Sequence, residues 1–169
     1  MRLVAVLIAG LIGWAGPSRA QPSPGPATLL TADGTFGFSQ VHTGRVSDGR
    51  AGLLFGLDVG FDVRYRRHAV GLRVRAFTPI LGRTQLWEAG GLYSFTVIGG
   101  LTVGAGLSYI FEVYQSEETY DLVHAPRVGV PLEATFRFQD PERFGPYIRA
   151  FANLNDERTF GGLGAGITL

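Results

Sequence analysis

From Leu53 to Tyr65 every second residue is large and apolar: Leu53, Phe55, Leu57, Val59, Phe61, Val63 and Tyr65 alternate with Leu54, Gly56, Asp58, Gly60, Asp62 and Arg64. Period 2 places the two sets on opposite faces of a β-strand. At ~3.4 Å per residue such a run reaches roughly 44 Å, well beyond the ~5–6 residues of an ordinary strand. Tilted by about 45°, it can cross a bilayer whose hydrocarbon core needs only ~9–11 residues.

Similar stretches recur along the chain. The first runs from about Thr35 to Thr43, with Phe36 and Phe38 on its apolar face. After the Leu53 stretch, Ala69–Thr78 sets Val70, Leu72, Val74 and Ala76 against Gly71, Arg73 and Arg75, and Trp87–Ile98 sets Trp87, Ala89, Tyr93, Phe95 and Val97 against Glu88, Gly90, Ser94 and Thr96. Leu101–Tyr114 opposes Val103, Ala105, Leu107, Tyr109 and Phe111 to Gly104, Gly106, Ser108 and Glu112, while Ala125–Phe138 opposes Val128, Val130, Leu132, Ala134, Phe136 and Phe138 to Arg127, Gly129, Glu133, Thr135 and Arg137. Tyr147–Leu154 and Phe160–Leu169 complete the set. Eight strands, an even number, are expected to close into an antiparallel up-and-down transmembrane β-barrel over residues 31–169. The connections Arg66–His68, Gly99–Gly100 and Gln139–Gly145 read as periplasmic turns; Gly44–Arg50, Pro79–Leu86, Gln115–His124 and Asn155–Thr159 read as outward loops.

Alternation alone leaves open whether the apolar face meets lipid or lines a soluble, ligand-carrying barrel. The polar face favours the first. It is rich in glycine, which suits a lumen only just wide enough for side chains. It also carries Asp58, Asp62, Arg64, Arg73, Arg75, Glu88, Glu112, Arg127, Glu133, Arg137 and Arg149. These near-balanced charges are expected to pair inside the barrel as a largely plugged network, and arginine suits buried carboxylate pairs better than lysine does. Leu57, Val59, Phe61, Val63, Val103, Leu107, Tyr109, Phe111, Leu132 and Phe136 are then expected to face lipid. Tyr65, Trp87, Phe111, Phe136 and Phe138 would form girdles near the strand ends.

Composition narrows the function. The chain has no cysteine, which removes disulfides and thiolate chemistry; all fifteen basic residues are arginine, and the formal charge is only +1. No basic stripe suggests nucleic acid. Met1–Ala20 reads as a signal peptide: Arg2, an apolar run from Leu3 to Trp14, and a small-residue site at Ser18-Arg19-Ala20, with cleavage expected after Ala20. Residues 21–30 read as a Pro-rich flexible tether.

This pattern of leader, amphipathic strands and apolar final residue resembles the small outer-membrane β-barrel family that includes the OmpA transmembrane domain, OmpX and OmpW-like proteins. The resemblance implies location in the outer membrane, contact with its lipid and lipopolysaccharide, and assembly by the barrel-insertion machinery. Gly164, Ile167 and Leu169 resemble the family's C-terminal assembly signal, with Leu169 standing where an aromatic residue is commoner. The same architecture serves as anchor, adhesin, channel and enzyme, so fold alone does not choose among them.

Candidate chemistry is sparse. Gly161–Gly166 has no following helix and reads as lumen-facing small residues, not a phosphate loop. His42 and His124 fall on the outward side without a placed carboxylate, so no metal site and no cofactor is expected. A lipid A-modifying enzyme, deacylase-like, would require a serine activated by histidine at the outer rim; Ser39, Ser47, Ser108 and Ser116 are the serines to consider. The deacylase spacing of His followed two residues later by Ser is absent. Glu117–Asp121 and Asn153–Glu157 read as solvated acidic loops. The expected role is non-enzymatic, structural or surface-interacting, in a monomer; a deacylase-like enzyme, a narrow small-solute channel and a soluble periplasmic lipid carrier are the alternatives.

Overall fold

A computed structural model describes residues 25–41, 52–80, 85–115, 122–139, 144–156 and 158–169. The leader, the cleavage site, His42, Ser47, Ser116 and the acidic segment Glu117–Asp121 lie outside the described residues, as does the side chain of His124. Eight strands follow in order: β1 (Ala27–Val41), β2 (Gly52–Tyr65), β3 (His68–Pro79), β4 (Gln85–Ile98), β5 (Leu101–Gln115), β6 (Leu122–Arg137), β7 (Gly145–Leu154) and β8 (Arg158–Thr168). Each pairs antiparallel with its neighbour in sequence, and β1 pairs with β8 to close the barrel. Closure leaves no sheet edge, which is the condition for backbone polar groups to enter a hydrocarbon phase.

The alternation seen in the chain becomes an inside and an outside. Leu57 is 62% exposed and Leu107 67%, whereas Asp62 is 3% exposed and Arg75 is fully enclosed. Side chains at successive positions of a strand point to opposite faces, so this sorting is continuous around the wall. All ten residues expected to meet lipid point outward, Phe136 half-covered by its edge-on contact with Phe138 and the other nine exposed. Aromatic residues collect at both ends: Trp87 and Phe111 are cross-strand partners near the end from which the longer connections leave, and Tyr65, Phe136 and Phe138 lie at the turn end. Leu107 sits at the middle of β5. An arginine at the midplane of a lipid-facing wall costs about 2–4 kcal/mol. Leu107→Arg is therefore expected to lower unfolding free energy in lipid vesicles by that amount, and a change within experimental error would place this wall outside the acyl region.

Several boundaries differ from the periodic reading. The first strand begins at Ala27, not near Thr35, so Ala27–Leu30 of the Pro-rich segment pair with Arg64–Phe61. Barrel closure explains this, because β8 needs a partner to its end: Leu30 and Leu169 exchange backbone hydrogen bonds of 3.2 and 2.7 Å. At the other end Pro79 and Leu86 belong to strands, and Asn153 and Leu154 belong to β7, not to an acidic loop.

Candidate functional site

The candidate site is the lumen. All eleven charged residues expected there are found inside, ten of them buried and Arg127 partly so. The structure divides them into two groups separated by an apolar layer.

The larger group centres on Arg75, whose guanidinium contacts Asp58 from β2, Glu88 from β4 and Glu133 from β6, the Glu88 contact at 3.1 Å. Since β3 and β6 are not sheet neighbours, the Arg75 to Glu133 pair crosses the lumen. Arg149 on β7 completes the opposite side, with Nη1 at 2.7 Å from Asp58 and 3.2 Å from Asp33. The Tyr147 hydroxyl donates to Asp33 at 2.5 Å and accepts from Arg149 at 3.1 Å. Below, Arg73 donates two parallel hydrogen bonds to Asp62, each 2.9 Å, the fork geometry that a planar guanidinium makes with a carboxylate. Glu133 lies 3.6 Å from Arg73 and 3.8 Å from Arg149, and Arg137 lies 3.9 Å from Asp62. Arg64 and Arg137 both reach the Thr102 hydroxyl, at 3.3 and 3.5 Å.

Two glycines show why small residues share this face. A methyl group on Gly60 would overlap the Arg73 guanidinium, and one on Gly71 would overlap the Asp62 carboxylate. The bidentate pair occupies the space those two side chains would have filled.

Above the ionic layer, toward the longer connections, Leu54, Phe77, Leu86, Ile110, Phe151 and Phe160 form one apolar cluster inside the barrel. Phe77 stacks on Phe151 with ring centroids 5.6 Å apart and meets Phe160 edge-on at 5.5 Å. The Arg75 guanidinium lies 4.9 Å from the Phe151 centroid, joining the two layers through a cation–π contact. Beyond the cluster, Glu112 bridges Arg127 at 3.0 Å and Arg158 at 2.9 Å. Sequence reading missed this apolar layer, together with Asp33 and Arg158; Tyr147 was expected on the inward face, beside Arg149 and Asn153, but not as a partner of Asp33. The signal was present as interruptions of period 2: Leu53-Leu54-Phe55, Leu86-Trp87, Tyr109-Ile110-Phe111 and Ala150-Phe151-Ala152 all fall near the same end of their strands.

The serines considered for catalysis that fall among the described residues are not at an open rim. Ser39 and Ser108 point inward and are buried. Ser108 accepts from Asn153 at 2.7 Å, and Asn153 also donates to Glu88 at 2.6 Å. That arrangement supplies hydrogen bonds to the network. Gly164 faces the lumen beside Asp33 and Thr35, while Ile167 and Leu169 point outward.

No family model matches the sequence, and comparison with curated proteins gives no match. Solved structures do match in fold. Neisserial surface protein A superposes with a TM-score of 0.69 at 12% identity, covering 86% of this chain and 98% of that one. Ail, the attachment invasion locus protein of Yersinia pestis, crystallised with the heparin analogue sucrose octasulfate, superposes with a TM-score of 0.51 at 12% identity over 85% of this chain and 99% of its own. The chain has the fold of the small eight-stranded outer-membrane β-barrels that its alternation resembled, apolar outside and ionic within.

Proposed function

We propose that this chain is an exported outer-membrane protein, its leader cleaved after Ala20, with a structural or surface-interaction role and no catalysis, and with a lumen that is a plug and not a passage. In this reading it spans the membrane as a monomer, with its short turns in the periplasm and its longer connections outside. Its partners are outer-membrane lipid, lipopolysaccharide and, during assembly, the insertion machinery reading Gly164, Ile167 and Leu169.

The observation that carries the reading is the enclosed Arg75, tied to carboxylates on three other strands beneath a layer of packed aromatic and aliphatic side chains. A conducting lumen requires a continuous polar path, whereas an ionic layer with its charges matched across the barrel resists the rearrangement that would open one.

The test is expression in a host with an outer membrane. The protein is expected in the outer-membrane pellet, migrating faster on a gel before heating than after, and giving a flat trace in planar bilayers. Discrete current steps would establish a channel instead, a mass change in lipid A an enzyme, and recovery in the detergent-free periplasmic fraction a soluble carrier.

A further inference from the structure

The hairpin turn between β2 and β3 departs from the rest of the described barrel in two ways. Arg66 adopts a positive φ of 55°, the left-handed conformation that two-residue hairpin turns call for and that glycine meets without a steric penalty. The β4 to β5 turn meets the same demand with Gly99, at φ 49°. A bulky residue held there points to a use for its side chain. Second, Arg66 and Arg67 are exposed and make no ion pair among the described residues, whereas the lumen arginines are engaged with carboxylates or hydroxyls.

The side chains of Tyr65, Arg66, His68, Tyr93 and Phe95 form one patch on the outer wall, and Arg67 is exposed at the turn beside it. The Arg66 guanidinium lies 5.2 Å from the centroid of the outward-facing Tyr65 ring. His68, cross-strand partner of Tyr65, shares a 2.6 Å hydrogen bond between its Nδ1 and the Tyr93 hydroxyl, and its ring lies 5.3 Å from that of Phe95. The Thr96 N–H donates to the Arg67 carbonyl at 2.7 Å, fixing the turn against β4. Directly along the wall from this patch run the exposed apolar side chains of Val63, Val70 and Leu72.

Cations at a rim, aromatic rings beneath them and an aliphatic wall beyond reproduce the order of phosphate, glycerol ester and acyl chain in a phospholipid. Guanidinium groups bind phosphate oxygens through paired N–H donors, and aromatic rings settle at headgroup level. We propose that Arg66 and Arg67, with His68, hold the phosphate of an anionic glycerophospholipid in the leaflet at the turn end, its glycerol region against Tyr65 and Tyr93. This rests on the membrane-spanning reading above. It commits to the glycerophospholipid of the periplasmic leaflet; the phosphates of lipid A offer the same chemistry and would be met only if the turn end faced outward.

The test is native mass spectrometry of the full mature barrel released from detergent micelles holding equal amounts of phosphatidylglycerol, phosphatidylcholine and lipid A. The wild-type protein is expected to retain phosphatidylglycerol over both others. Each arginine near an anionic surface contributes about fivefold, so Arg66→Gln with Arg67→Gln is expected to lower that preference roughly twentyfold or more, and Arg66→Lys with Arg67→Lys to keep most of it. Arg66→Gly, which relieves the backbone while removing one cation, is expected to lose about fivefold with its heat-shifted gel band intact. Equal retention of phosphatidylglycerol and phosphatidylcholine by the wild type, or unchanged preference in the glutamine variant, would overturn the site. Preference for lipid A would overturn the assigned source. A wild-type protein without a heat-shifted band would instead overturn the membrane reading, and the site with it.

Discussion

Arg75→Met is expected to lower the unfolding free energy of the barrel by about 3–5 kcal/mol, read from urea titration in lipid vesicles. The loss arises less from the missing attraction than from what is left behind. Asp58 retains Arg149, and Glu133 retains Arg73 and Arg149, but among the described residues Glu88 keeps only its hydrogen bond from Asn153. A carboxylate enclosed in a protein without a cation is costly, because neither water nor a counter-charge replaces its hydration. Adding Glu88→Gln to the methionine variant is therefore expected to recover about 1–3 kcal/mol, since the amide oxygen still accepts from Asn153 and the stranded charge is gone. Glu88→Gln in the wild-type background removes a partner of Arg75 and is expected to destabilise. The opposite signs in the two backgrounds are the signature of a shared network. If Arg75→Met cost no more than a surface substitution, about 0.5 kcal/mol, the ion pairs would not be holding the strands in place.

Phe77→Ala is expected to cost about 3–5 kcal/mol, the usual loss for emptying a buried aromatic site. Phe77 touches rings from both β7 and β8, so its removal leaves a void shared by three strands that can close only if all three shift. In planar bilayers the variant is expected to remain silent, because the ionic layer built on Arg75 and Arg149 lies intact beneath the apolar layer. Phe77→Ala combined with Arg75→Met removes material from both layers and is expected to give current steps where neither single variant does. Steps from Phe77→Ala alone would show that the apolar layer is the sole barrier and that the paired charges below it are permeable.

Much of the wall was legible in the chain. The run from Leu53 to Tyr65 appears in the structure as β2 with one residue added, and Leu101–Tyr114 as β5 with one residue added. Long strands with a clean period of 2 leave little ambiguity, because a one-residue slip would exchange every side chain between lipid and lumen. Ala27–Gly34 was harder to read, since its sequence, Ala-Thr-Leu-Leu-Thr-Ala-Asp-Gly, carries only two large apolar residues. It is a strand because β2 offers backbone partners along all of it and the end of β8 offers them from Leu30 onward. The lumen followed the same division. Its charged residues could be named from their alternation, but Asp33 lay in the unrecognised half of β1, and Phe77, Phe151 and Phe160 were hidden by the expectation that an inward face is polar throughout.

The sequence by itself determined which side chains share a face along each cleanly alternating strand, and its glycines and near-balanced charges favoured the polar face as the inner one, because period 2 and the demand for backbone hydrogen bonds are local properties of each strand and its neighbours. Only the tertiary structure decided who meets whom across the interior. Arg75 finds Glu133 and Tyr147 finds Asp33 through separations of 58 and 114 residues. Those pairings depend on how far each strand is staggered around the closed wall, and stagger is a property of the ring as a whole, summed over eight registers, that no single strand encodes.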